Sequence, residues 1–241
     1  MTENTEFIMR IADLNIRMLC NYPYTKRLCA DFMTDSRDAD MIAKTTPLEL
    51  EEESRNYIGE NPSPGYCESI CLYRDIAEQL PAFDGVVFHG AAVSINEKGV
   101  IFTARSGVGK TTHVRLLLEN YPENIRVING DKPIIRKRDG KWRVFPTPWA
   151  GKEGMRSDGD APLSSIVLLE RSKENFIEKA SPEEHFDAIC RQIYLPRDGE
   201  MQLKTFDLID QMAKSINFYR LGCNISPDAA RTSYEFLIKE F

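Results

Sequence analysis

One stretch of the sequence is typical of a phosphate-binding loop. An apolar, strand-like run over 99–103 leads into the loop, and a helical pattern with Val114, Leu117 and Leu118 on one face follows it. Glycines let such a backbone curl so that successive amide groups point at one anion, and the new helix adds its positive end. The residues that we predict to bind nucleotide phosphates are Ser106, Gly107, Val108, Gly109, Lys110, Thr111 and Thr112.

Two side chains of this loop carry specific chemistry. Lys110 can reach the β- and γ-phosphates of a nucleotide, and the Thr111 hydroxyl can ligate Mg²⁺. The first glycine of the usual G-x-x-x-x-G-K-[ST] pattern is replaced by Ala104, a difference of one methyl group. The alternative, a glycine-rich turn before a helix, does not call for Lys-Thr after the second glycine.

Composition excludes several classes of partner. Hydrophobic residues make up 42% of the 241-residue chain and charged residues 28%, which is ordinary for a globular protein. The net charge of −6 offers no basic surface, so we expect no nucleic-acid partner. Neither an apolar run of membrane-spanning length nor an N-terminal signal sequence is evident, so we expect no membrane partner and a cytoplasmic location.

We interpret the six cysteines as small, buried hydrophobic residues, which is typical of a protein in a reducing compartment. Cys67 and Cys71 lie four residues apart on a predicted helix and are able to share a ligand. Because neither a second pair nor a nearby histidine completes a metal site, we favour a structural role.

The first eighty residues resemble a small N-terminal α/β lobe (1–80) in which no residue indicates chemistry. An acidic run (49–53) and a loop (59–65) interrupt its pattern. The elements predicted in this lobe are a strand over 14–20, a short helix over 24–33, a strand over 39–44 and a helix over 67–80.

The strand that leads into the phosphate loop has a hairpin partner. Residues 86–95 read as one strand, 96–99 as a turn of hairpin length, and 100–103 as the return strand. Two neighbouring parallel strands need a crossover of about a dozen residues, and four residues cannot supply it. We therefore predict a mixed β-sheet within an α/β domain over 81–241.

The remaining pattern continues this domain. Asp139-Gly140 between alternating runs is a strong hairpin signal. The predicted strands cover 125–129, 134–138, 141–145, 165–170 and 217–223, and the predicted helices cover 181–194, 205–215 and the residues from 226 onward.

Asp131 and His89 are the candidate catalytic residues, together with Lys110. Asp131 ends a strand 21 residues after Lys110, where an acid can hold Mg²⁺ or accept a substrate proton. His89 is the alternative proton acceptor. The simpler interpretations are a turn-forming aspartate before Lys-Pro and a core histidine with its hydrogen bonds satisfied.

The segment 146–156 combines prolines, glycines, a tryptophan and charged residues, which indicates a shaped loop. Within it, Lys152, Glu153 and Arg156 are candidate substrate-binding residues. Exposed charged side chains often have no special role, and a structured surface loop is the alternative.

Several of these motifs together are similar to those of HPr-kinase-related proteins, which have the phosphoenolpyruvate-carboxykinase-like fold. The resemblance covers roughly 80–241 and rests on His89-Gly90, the hairpin, the phosphate loop, the strand that ends in Asp131, and the segment 147–154. It implies a mixed-sheet phosphate-loop core, use of ATP and Mg²⁺, and transfer of phosphate to a hydroxyl group. It also implies a possible homo-oligomer.

Two departures from that family limit what the resemblance implies. HPr kinases usually carry two adjacent acids where this chain has Gly130-Asp131, so one carboxylate must do the work of two, or a residue elsewhere helps. Bacterial HPr kinases also carry a longer N-terminal domain of another type, so their carrier-protein substrate is not implied.

The function predicted from the sequence is an ATP-dependent kinase. Its acceptor is a serine-type hydroxyl on a small molecule, peptide or protein. The alternatives are a nucleotide-gated binding protein without transfer activity and, less favoured, a carboxykinase-type lyase.

Overall fold

The computed structural model describes residues 5–57 and 62–241. A three-stranded sheet near the N-terminus consists of β1 (Thr5–Ile11), β2 (Leu14–Cys20) and β3 (Met41–Ala43). β1 and β2 form an antiparallel hairpin, and β3 lies parallel to β2. The pattern predicted only the second strand, because Ala12 and Asp13 make the turn with positive φ angles and no glycine signals it.

The described residues of this N-terminal region also form three α-helices: α1 (Pro23–Leu28), α2 (Pro47–Asn56) and α3 (Pro64–Gln79). The helix predicted over 24–33 ends at Leu28 and is followed by a short 3₁₀ turn. The interpretation of 49–53 as an interruption was wrong. These acids lie inside α2, which begins with a capping box between Thr46 and Glu49.

Within the part of the chain that the structure describes, the larger sheet has nine strands and is mixed, as predicted. β6 and β12 lie parallel to β10 on either side of it, and the other strand pairs of this sheet are antiparallel. Its strands are β4 (Gly85–Val87), β5 (Ala91–Ile95), β6 (Lys98–Thr103), β7 (Ile125–Asn129), β8 (Ile134–Arg138), β9 (Lys141–Phe145), β10 (Ala161–Arg171), β11 (Phe176–Lys179) and β12 (Asn217–Cys223).

The predicted hairpin before the phosphate loop is confirmed, since β5 and β6 pair antiparallel. The single strand predicted over 86–95 was wrong: β4 pairs with β8, whereas β5 pairs with β6 and β7. The chain changes partners between Phe88 and Gly90. The run is buried on both sides of this break, so its continuous apolar character conceals the break.

Four of the described helices accompany the larger sheet: α4 (Lys110–Asn120), α5 (Pro182–Cys190), α6 (Gly199–Ala213) and α7 (Pro227–Glu240). α5 ends four residues before the predicted end, and α6 begins earlier than predicted, at an Asp198 cap. β6, β10 and β12 run in the same direction, so their carboxyl ends meet at one edge of the sheet. In sheets of this kind that edge is the usual place for ligand binding.

One hydrophobic cluster joins the N-terminal region to the larger sheet. It contains the inner face of the small sheet, part of α3, and Val87, Ile134, Phe145 and Trp149 from the rest of the chain. The domain boundary near residue 80 stays a prediction. Cys20, Cys29, Cys67, Cys71 and Cys223 are buried free thiols, and Cys190 is a partly exposed one. In the described residues no helix is long and apolar enough to cross a membrane.

Candidate functional site

The predicted phosphate loop connects β6 to α4 at the carboxyl edge of the parallel strands. Gly107 and Gly109 have φ angles of 77° and 134°. A Cβ atom would meet nothing within 4 Å at either position, so backbone conformation rather than crowding requires glycine there. α4 begins at Lys110 without a side-chain cap, which leaves the amides of its first turn without a side-chain acceptor. This geometry suits an anion.

Lys110 points back along its own loop. Its ammonium donates to the carbonyl of Ala104 at 3.2 Å, and the side chain is about half-buried. Burial lowers the pKa of Lys110, although the charge of Asp131 acts in the opposite direction.

Arg171, at the end of β10, holds the loop from the outside. Its guanidinium donates to the carbonyl of Gly107 at 2.6 Å and to that of Val108 at 3.2 Å. When the loop carbonyls are held by Arg171 on the side away from the cleft, the loop amides are favoured to face the cleft. Sequence reasoning missed this residue, since nothing local connects it to a loop more than sixty positions away.

Asp131 lies between two basic side chains. Its Oδ2 atom is 2.8 Å from the Lys132 ammonium, and its Oδ1 atom is 3.5 Å from Nε2 of His89. Burial acts to raise the pKa of Asp131, but the hydrogen bond to His89 and the charge of Lys132 outweigh it and hold the pKa well below its usual range. Asp131 is therefore ionised at neutral pH.

His89 lies in the break between β4 and β5 and connects Asp131 to the segment after α5. Its Nδ1 atom is 3.0 Å from Oε1 of Gln192, and its backbone amide donates to the Gln192 carbonyl at 2.7 Å. An ionised carboxylate can only accept hydrogen bonds, so Nε2 faces Asp131 as a donor in the tautomer that has its proton there.

Asn129 builds the turn that carries Asp131, and sequence reasoning missed it. Its Oδ1 atom accepts from the amides of Asp131 and Lys132 at 3.0 and 2.8 Å, and its Nδ2 atom donates to the carbonyl and hydroxyl of Thr147 at 3.1 Å each. The side chain is completely buried. An asparagine just before Gly-Asp is a turn signal that was available in the sequence.

The loop after β9 forms one wall of the site. Gly151 has a φ angle of 78°, and a Cβ atom there would lie 3.0 Å from the Cβ of Asp131. The predicted substrate residues in this loop differ in their surroundings. Lys152 is exposed beside the cleft, Glu153 pairs with Arg115 of α4, and Arg156 pairs with Asp31 at 2.6 Å.

A cleft of about 420 Å³ brings most of the predicted residues together. Arg156 is not among its lining residues, and Val108 lines two neighbouring clefts of about 770 and 410 Å³ on the other side of the loop. The predicted residues that line the shared cleft are His89, Ser106, Gly107, Gly109, Lys110, Thr111, Thr112, Asp131, Lys152 and Glu153.

The residues of this cleft fit a metal ion that is held mainly by phosphate. Among the residues described, no group of three or more His, Cys, Asp or Glu side chains is placed to hold a metal. An ionised Asp131 and Thr111, which carries a hydroxyl group, both line this cleft, and both groups are able to bind a metal through oxygen. Mg²⁺ is commonly bound by one or two protein oxygens, water and substrate phosphates, which matches this set.

Comparisons with known proteins give distant similarities among solved structures. No family model and no curated protein sequence matches the chain. A solved structure, the HPr(Ser) kinase/phosphatase from Coxiella burnetii, aligns with 64% of this chain and 97% of its own chain, at 8% identity and a TM-score of 0.38. A likeness at that level carries no argument about function, so the assignment depends on the site itself.

Proposed function

We propose that this protein is an ATP-dependent kinase. It transfers the γ-phosphate to a hydroxyl group on a small molecule, peptide or protein. The observation that carries the proposal is the cleft in which the glycine-rich loop, Lys110, Thr111 and an ionised Asp131 face one space.

The loop residues bind and orient the nucleotide. Amides of 107–112 and the Lys110 ammonium hold the β- and γ-phosphates, and Arg171 keeps the loop carbonyls turned outward. Thr111 and Asp131 hold Mg²⁺, which when bound neutralises charge on the phosphates. Phosphoryl transfer depends mainly on such positioning and charge neutralisation, so few further groups are needed.

Asp131 also receives the proton of the acceptor hydroxyl. It is ionised, whereas Nε2 of His89 is already engaged by its contact with Asp131. His89 therefore orients the carboxylate. Lys152, exposed beside the cleft, binds the acceptor, and Glu153 and Arg156 shape the loop that carries it.

One observation favours a second candidate, a nucleotide-gated binding protein without transfer activity. Both carboxylate oxygens of Asp131 already contact basic side chains, those of His89 and Lys132. Such a site can bind a nucleotide and still lack a free base.

Transfer of γ-labelled phosphate separates the two candidates. The purified protein is incubated with labelled ATP and a cell extract, and label is followed into protein, peptide and small-molecule fractions. Lys110→Ala removes the phosphate contact and Asp131→Asn removes the charge, so each should lower transfer at least about a hundredfold. Asp139→Asn is the matched control, since Asp139 is an exposed turn residue distant from the cleft.

Each outcome has a distinct meaning. Label in one fraction, lost in both site variants and kept in Asp139→Asn, establishes a kinase and the class of its acceptor. Tight MgATP binding by the wild type without any label would contradict the kinase and support the binding protein. Failure to bind ATP would contradict both.

A further inference from the structure

The N-terminal region contacts the turn that carries Asp131 directly. Tyr73 of α3 is buried, and its hydroxyl donates to the backbone carbonyl of Lys132 at 2.7 Å. The Tyr73 ring stacks on Trp149, with centroids 4.1 Å apart and planes 10° apart. A hydroxyl held in this way has little freedom to point elsewhere.

The backbone carbonyl of Lys132 accepts hydrogen bonds from two side-chain hydroxyls. Besides Tyr73, the Thr147 hydroxyl donates to it at 2.9 Å, while the Asn129 side chain binds the amides of Asp131 and Lys132 from the inner side. The turn is therefore held by side chains on both sides. Of these contacts, only that from Tyr73 comes from the N-terminal region.

The loop that forms the wall of the site is attached to the same helix. The Trp149 indole donates to the carbonyl of Ser69 at 3.1 Å, and Ser69 and Tyr73 lie one helical turn apart on α3. At the end of the loop, Arg156 pairs with Asp31 and lies over the Phe32 ring at 5.0 Å. α3 thus supports both the Asp131 turn and the loop packed against it.

We propose that Tyr73 is a positioning residue for Asp131, so that the N-terminal region sets the direction in which the carboxylate faces the phosphate loop. The inference rests on the proposed function, because it assigns Asp131 a role toward MgATP. It adds a task for a region in which the sequence shows no chemistry.

Tyr73→Phe tests this role with little risk to folding. The variant keeps the ring that stacks on Trp149, and the Lys132 carbonyl keeps Thr147 as a donor, so no buried acceptor loses its last partner. Tyr219→Phe is the matched control. Tyr219 is a buried residue of β12, away from the cleft, and its hydroxyl donates to the carboxylate of Glu240 in α7.

The measurements are ATP affinity with Mg²⁺, ATP affinity with EDTA, kcat, and amide hydrogen exchange over 129–133. For Tyr73→Phe we expect unchanged affinity for metal-free ATP and at least a threefold smaller gain in affinity from Mg²⁺. We also expect about a tenfold lower kcat and faster exchange of the turn amides, since small misplacements of a reacting group are costly. Tyr219→Phe should match the wild type in all four.

Three results would overturn the inference. One is a Tyr73→Phe variant whose gain in ATP affinity from Mg²⁺ and whose kcat both equal those of the wild type. Another is an equal loss of affinity with and without metal, which would indicate general loosening. If the wild type transfers no phosphate, the Mg²⁺ effect and the exchange rates decide the inference while the kinase proposal fails. The third result is a wild type that binds no ATP, in which case the inference and the kinase proposal both fail.

Discussion

Gly130, the residue before Asp131, has little room for a side chain. A Cβ atom there would lie 3.1 Å from the carbonyl oxygen of Ala150 and 3.2 Å from that of Met155. The Gly130 amide also donates to the Met155 carbonyl at 2.9 Å. The loop after β9 therefore packs closely against the backbone at Gly130.

Gly130→Ala tests this packing. The methyl group must push two carbonyl oxygens away, so we expect the free energy of unfolding to fall by about 1–3 kcal/mol, measured by urea denaturation. Gly199→Ala is the control. A Cβ at Gly199, the first residue of α6, meets nothing within 4 Å, so that variant should be neutral or slightly stabilising. Equal effects of the two changes would contradict close packing at Gly130.

At the scale of elements, the phosphate loop depends on its contact with β10. Arg171 presents two donors to two successive loop carbonyls, Gly107 and Val108, and its planar fork matches that arrangement. The loop itself has glycines with positive φ angles and correspondingly little conformational restraint of its own. The guanidinium therefore restricts the phosphate loop to fewer conformations before ATP binds.

We expect Arg171→Gln and Arg171→Lys to weaken ATP binding by a similar factor of about three to ten, since each removes the fork. Isothermal titration with ATP in the presence of Mg²⁺ measures this. Lysine retains the charge, so the pair separates geometry from electrostatics. Wild-type affinity in Arg171→Lys, with a loss only in Arg171→Gln, would contradict the geometric role.

α4 is joined to α7 by a buried histidine. The Ser233 hydroxyl donates to the Ala230 carbonyl at 3.0 Å, so it accepts from Nε2 of His113, also at 3.0 Å. Nδ1 then has a lone pair, and in the described part of the chain it has no hydrogen-bond partner. Burial lowers the pKa of His113 to about 4, which keeps the ring neutral at pH 7.

This histidine should make stability depend on pH. The unfolded chain takes up a proton near pH 6.5 and the folded chain only near 4, so stability is retained above pH 6.5 and falls as the pH drops toward 4. The expected loss from this group is roughly 2 kcal/mol by pH 5. Denaturation of the wild type and of His113→Leu between pH 5 and 8 checks it, because the difference between them should change with pH. A constant difference would contradict a neutral buried His113.

At the scale of the whole molecule, the described residues form two sheets and a hydrophobic cluster common to both regions. Val87, Ile134, Phe145 and Trp149 of the larger sheet and its loops pack with α3 and the small sheet. Since Trp149 belongs both to this cluster and to the loop beside Asp131, packing of the N-terminal region and geometry of the site are physically connected. This connection is the reason why a region without chemical motifs can influence the site.

Local patterns predicted much of the fold. The β5–β6 hairpin, the mixed sheet and the helix after the phosphate loop follow from turn residues and alternation over short distances. Errors arose where no local signal exists. The change of partners between β4 and β5 lies within a uniformly apolar run, and the turn at Ala12-Asp13 lacks glycine.

The sequence by itself determined the glycine-rich loop that we predict to bind phosphate, because the spacing of glycines, Lys110 and Thr111 within a few residues favours a backbone suited to an anion. Only the tertiary structure decided the contacts of Asp131. His89 and the hydroxyl of Tyr73 reach its turn from separate elements, and a loop some twenty residues further along the chain crowds the position of a side chain at Gly130. Such contacts depend on which strands pair and how helices pack, and these are long-range interactions that residue spacing does not encode.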